Sequence, residues 1–183
     1  MIRSVLYMGG MAGDLVVALL APNQIELITN RMRIYDQYCR LKSFHNMKPE
    51  EKLKYYETQK GILSSHDTEF HKKFPQETIR LYCKNADTSR WMSQRFWEIL
   101  SETRKYQLIK ELRLQGNPAE SYAYMMRNWS NSHPFPHQLD MSNVRNYSFI
   151  QDFLDFCKRI NYTVNEDAVR QLYHDWHDQM VNK

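Results

Sequence analysis

The sequence predicts an α/β fold: a three-layer parallel sheet with crossover helices, followed by a helical C-terminal extension. Three observations predict it. Short apolar runs alternate with helix-period segments through residues 1–102. A glycine-rich turn, Gly9-Gly10-Met11-Ala12-Gly13, joins the first apolar run to the first helix-like segment. From residue 103 on, amphipathic segments with start signals follow one another, and the rest of the chain reads as helical.

Met1 to Met8 reads as a buried strand, because Ile2, Val5, Leu6 and Tyr7 are apolar or aromatic and the glycine pair stops it. Residues 14–21 form the first helix, closed by Pro22. Residues 24–35 favour extended structure: Ile25, Leu27, Met32 and Ile34 alternate, although Ile28 and Tyr35 break the pattern. Pro49-Glu50-Glu51 opens a helix, since proline fits the first turn and acids suit its positive end. Gly61 ends it, and Lys48 to Lys60 reads as a solvated face. Gly61 to Ser65 is a short strand with a polar tip, Ser64 to Asp67. Thr78 to Cys83 is the next strand, and Lys84-Asn85-Ala86-Asp87 is a turn.

Asp87, Thr88 or Ser89 caps a helix carrying Trp91, Met92, Arg95, Phe96, Ile99 and Leu100 at spacings of three and four. Tyr106 to Leu114 has helical spacing and ends at Gly116. Asn117-Pro118-Ala119-Glu120 combines a cap, a first-position proline and an early acid, and opens a helix with Tyr122, Met125, Met126 and Trp129. Ser132 to Val144, with two prolines and two histidines, reads as a linker. Phe149, Phe153, Leu154, Phe156 and Cys157 mark an amphipathic helix; Asn165 caps the last, with Val169, Leu172, Tyr173 and Trp176 inward. The whole is one domain over 1–183, with an α/β half at 1–102 and a helical half at 103–183.

The chain has 183 residues, a net charge of +4 and a pI near 8.9. No run of lysine or arginine is dense enough to argue for nucleic acid, and an anionic small molecule suits the charge. Cys39, Cys83 and Cys157 form no metal-ligand or CxxC pattern and read as buried reduced thiols in a cytosolic setting. The longest apolar stretch follows Asp14 and is too short to span a bilayer, so the expectation is a cytoplasmic protein without a membrane partner.

Strand, glycine turn and helix in that order bring backbone N–H groups to a helix N-terminus, where they can hold a phosphate or sulfate. The spacing from Gly9 to Gly13 is one residue short of a Walker-type loop, and Asp14 stands where its lysine would be. The competing reading is a tight turn that needs small residues for packing. His66 is the candidate general base; otherwise it is a hydrogen-bonded histidine at a strand end. His66, Glu69 and His71 do not make a metal site, because the histidine spacing suits neither a helix face nor a strand face. Lys84 is a candidate phosphate contact, whereas Arg90 and Arg95 read as a solvated face. Ser64, Ser65 and Ser93 are more often local hydrogen-bonding residues. Tyr122, Tyr124, Met125, Met126 and Trp129 suit an acceptor pocket or a partner groove, with core packing the default.

Three segments together resemble the cytosolic-type sulfotransferases, P-loop-like α/β enzymes that use 3′-phosphoadenosine 5′-phosphosulfate. Tyr7 to Leu15 is similar to the family's phosphosulfate-binding loop. Ile62-Leu63-Ser64-Ser65-His66 resembles its Lys-Thr-His tip, which places His66 on the catalytic histidine. Ile79 to Asp87, followed by Ser93, resembles its Arg-Asn-Pro-x-Asp turn and 3′-phosphate serine, with Lys84 on the arginine position. Phe149 to Trp176 looks like its C-terminal helices.

The resemblance implies that Gly9, Gly10, Met11, Ala12 and Gly13 hold the 5′-phosphosulfate, that Lys84 and Ser93 hold the 3′-phosphate, and that His66 is the base. It further implies transfer of a sulfuryl group to a hydroxyl acceptor, with no metal. Small members of this kind are common among phage-encoded proteins, which points to host cytoplasm or a virion. The chain departs from the pattern: the loop lysine is absent, Ser64 replaces the tip lysine, Ala86 replaces the turn proline, and the late Arg-Lys-Gly segment is missing. Each change removes a group that holds the nucleotide. The alternative is a descendant that kept the fold, lost the chemistry and serves in protein binding or self-assembly.

Overall fold

A computed structural model describes residues 1–20, 47–58, 62–129 and 135–181, and the backbone alone of 25–28, 33–36 and Ser64. The expectations for Pro22, Cys39, Gly61 and the first residues, 132–134, of the segment read as a linker lie outside the described residues.

The elements run β1 (Ser4–Leu6), α1 (Gly13–Leu20), β2 (Ile25–Ile28), β3 (Arg33–Asp36), α2 (Pro49–Thr58), β4 (Leu63–Ser65) and the short α3 (Thr68–His71). A 3-10 turn (Pro75–Glu77) leads to β5 (Thr78–Tyr82). Then come α4 (Ala86–Ile99), α5 (Glu102–Leu112), α6 (Pro118–Trp129), β6 (His137–Asp140), α7 (Ser148–Arg159) and α8 (Glu166–Met180).

The class is α/β. One sheet has the order β4-β1-β5-β6, and every neighbouring pair is parallel. Val5 lies between Ser64 and Ile79, and Leu81 pairs with Leu139. β1 is buried throughout, which is why it reads as a continuous run rather than an alternation. The extended region at 24–35 contains an antiparallel pair, β2 with β3, inside the β1-to-β4 crossover.

Helix positions follow from their apolar stripes. α1 is buried along nearly its whole length and packs on β1, β4 and α8. α6 packs on β5 and along α4. The right-handed crossover rule puts the α1 connection on one face of the sheet and the α4–α6 connection on the other. Val5, Leu15, Ile79 and Leu81 are all but solvent-free, and burial of each such side chain contributes about 1.5–3 kcal/mol. The main core also takes Phe149, Phe153, Val169 and Trp176, so both halves of the chain build it.

Two expectations are corrected. The segment read as a linker contains β6, so the second half is not wholly helical but supplies a sheet edge. Only Leu139 of that strand is buried, which left no alternation to detect. The cap of α4 is Asn85, whose side chain accepts from the Thr88 N–H at 2.8 Å. Asp87 already lies in the first turn, while Ser142 Oγ takes the N–H groups of Lys84 and Asn85 and holds the turn in place. No described helix is long and apolar enough to cross a membrane.

Candidate active site

Because all four strands run the same way, the segments after β1, β4, β5 and β6 emerge at one edge of the sheet. The strand order reverses between β1 and β5, the place where ligands bind in such folds. A cavity of about 320 Å³ opens there. Its wall is built from the glycine turn, Asp14, His66, the Trp91–Ile99 stretch of α4, and Trp176 and Met180 of α8.

Tyr7 is the hub of this wall. It stands two residues before the glycine pair, and its ring is buried beneath Gly13. A Cβ on Gly13 would come within 2.4 Å of that ring, so only glycine fits. The Tyr7 hydroxyl donates to Asp14 Oδ1 at 3.3 Å. Its carbonyl lies 2.6 Å from His66 Nδ1, and the two rings meet edge-on with centroids 4.5 Å apart. A carbonyl can only accept, so Nδ1 carries the proton and Nε2 carries the lone pair.

Solvent reaches both His66 and Asp14, yet protein surrounds each of them in the concavity. Burial pushes the His66 pKa below the ordinary histidine value; the Tyr7 carbonyl opposes this and the Arg104 charge adds to it. Burial likewise raises the Asp14 carboxyl above the usual carboxylate range, with the Tyr7 hydroxyl opposing.

The residues singled out from sequence divide into two groups. Gly9, Gly10, Ala12, Gly13 and His66 share the cavity wall. Met11, Lys84 and Ser93 are not part of it. Met11 is fully buried in the core, and its N–H donates to the Met8 carbonyl at 3.1 Å. Ser93 is fully buried and donates to the Ala119 carbonyl at 2.6 Å, where it joins α4 to α6. Lys84 is exposed, with Nζ 5.5 Å from the centre of the Tyr82 ring. Tyr122 is core, and its hydroxyl reaches the Gly9 carbonyl at 3.2 Å.

These residues do not fit a phosphosulfate donor held as the resemblance implies. A Cβ on Gly9 would meet Phe96 and Tyr122 at 2.9 Å, and one on Gly10 would meet Phe96 at 2.8 Å. The glycines therefore admit the protein's own side chains rather than opening a cradle for an anion. Asp14 and Glu98 in the wall add negative charge where the donor would bring more.

Sequence reasoning missed Arg95, Phe96 and Trp176 as wall residues. Arg95 reads in the sequence as part of a solvated face, but it lines the cavity and donates to the Met180 carbonyl at 2.8 Å. No local pattern announces this, because α8 reaches α4 from far along the chain. Arg90 is exposed as expected, bound to Glu120 and Asp87. Cys83 and Cys157 are buried, with thiols pushed up to about 11 and about 12, which keeps them unreactive. Among the described residues no group of acids, histidines and cysteines could hold a metal ion. No family model, curated protein or solved structure matches the chain.

Proposed function

We propose that this protein acts on a hydroxyl-bearing small molecule in the cavity, with His66 as the general base. The Nδ1–H bond to the Tyr7 carbonyl at 2.6 Å carries this reading. It fixes the tautomer and the ring together and assigns proton acceptance to Nε2. The lowered pKa keeps the ring neutral at pH 7, the form a base needs. Such a base contributes about 10²–10⁴ in rate. The aromatic side chains of Trp91 and Phe96 suit a ligand with an aromatic or alkyl body.

Sulfuryl transfer from 3′-phosphoadenosine 5′-phosphosulfate is the second reading. One observation favours it: His66 and the glycine turn share a cavity, as that chemistry requires. Lys84 and Ser93 lie elsewhere, and Asp14 opposes the donor's charge.

The experiment is thermal unfolding with a simple phenol, alone and with adenosine 3′,5′-bisphosphate. A saturable rise in Tm with phenol that weakens as acid protonates His66, and loses this pH dependence in His66→Gln, supports the base. A further rise with the bisphosphate supports sulfuryl transfer. No rise with either ligand overturns both readings and favours a protein that kept the fold for binding or assembly.

A further inference from the structure

We infer that Arg95 and Arg145 form a subsite for an oxyanion, such as a phosphate or sulfate group, beside the Trp91 indole. It lies at the seam where α8 meets α4 and the segment after β6. Both guanidinium groups lie over the indole, with carbons 5.5 Å and 5.3 Å from the ring centre. Each leaves a buried Nε with no hydrogen-bond partner. The His177 ring donates from Nε2 to the Arg145 carbonyl at 2.7 Å, so its own unpartnered Nδ1 is an acceptor in the neutral ring and adds no donor for an anion. Two of the four orphaned side-chain atoms among the described residues are therefore guanidinium donors at this seam.

Folded proteins leave few such groups, and a cluster of them points to something that is meant to sit there. A guanidinium N–H can be satisfied only by an acceptor, and oxyanions are its strongest acceptors. Among the described residues, neither arginine is within ion-pair distance of a carboxylate. On Arg95 both Nη groups already donate, to the Met180 carbonyl and thioether, so Nε is the guanidinium nitrogen left without a partner.

The scaffold is firm. Arg95 is anchored through Nη1 on the Met180 carbonyl, and Trp91 meets Trp176 edge-on at 6.4 Å. Both arginines are half-buried as residues, while their Nε atoms are enclosed. Trp91 and Arg95 also line the cavity, which joins the subsite to it. Two acids stand nearby: Glu98 in the cavity wall, and Asp178, whose Oδ1 is 4.0 Å from His177 Nδ1 and accepts from the Tyr147 hydroxyl. They favour a compact anion seated on the arginines over a long polyanion. The inference does not depend on a catalytic role for His66.

The experiment titrates inorganic phosphate and sulfate into the full chain against chloride at matched ionic strength. Tryptophan fluorescence and Tm are the readouts. Phosphate and sulfate should give a saturable fluorescence change and a rise in Tm that chloride does not. Arg145→Met and Arg95→Met should each weaken binding by about tenfold or more. His66→Gln should leave it unchanged, which separates this inference from the base. If Arg145→Met does not fold, Arg145→Lys keeps the charge but not the fork, and should bind more weakly in a folded protein. Equal responses to phosphate and chloride, or unaltered phosphate binding in folded arginine variants, would overturn the subsite.

Discussion

His66 and His71 sit five positions apart, and burial lowers the pKa of both. His66 stands at the open edge of the sheet. His71, the last residue of α3, is sealed against the strands, with no solvent exposure. Its Nδ1 meets Ser4 Oγ at 3.1 Å and Thr78 Oγ1 at 3.4 Å, and its Nε2 meets Ser65 Oγ at 3.2 Å. Ser4, Ser65 and Thr78 are fully buried as well. A perturbed pKa alone thus does not separate a working histidine from a structural one. Access does: one imidazole can meet a ligand, and the other can only hold strands together.

The sharpest way to break that contrast is to remove each ring. His71→Ala should cost about 3 kcal/mol, because it leaves a void and buried hydroxyls without their partner. His66→Ala should cost less than about 1 kcal/mol, as expected at a solvent-reached site. Urea unfolding of both variants checks this, and equal losses would erase the distinction.

Acid should expose the same difference. The His71 pKa lies at about 4 in the fold against 6.5 for an ordinary histidine. Its stability contribution is therefore complete above 6.5 and is lost as pH falls toward 4, because the unfolded chain takes the proton first. Between pH 7 and pH 5 the loss is about 2 kcal/mol. Urea midpoints at the two pH values should show it, and His71→Gln should show a shallower decline.

The smallest effect concerns the backbone. The open edge carries a left-handed alanine, Ala12 at φ 53°, next to a turn in which Gly10 has φ 84°. Ala12→Gly relieves about 1 kcal/mol of strain, part of which the unfolded chain's greater freedom cancels. A modest rise in Tm with weakened ligand binding would show that the strain keeps the turn in its working shape.

Much of the fold was legible in the sequence. β1, β4 and β5 are short apolar runs between turn residues, and the caps Asn117 and Asn165 are visible as residue types. β6 was not legible, because its exposed polar residues mimic a loop. For the candidate site, the sequence puts His66 and the glycine turn together through the resemblance, and the strand order of the structure supplies the reason they share a cavity. The arginines on Trp91 could not, since Arg95, Arg145 and Trp176 meet only after α8 has packed. The role of the glycines was open in the sequence, and the contacts with Phe96, Tyr122 and Tyr7 favour the packing explanation.

One of the sheet's two outer strands, β6, is contributed late. A ribosome-bound chain that has not yet released His137–Asp140 presents the bare flank of β5, a ready template for any passing strand. Fragments ending before this point should clump rather than yield a smaller domain.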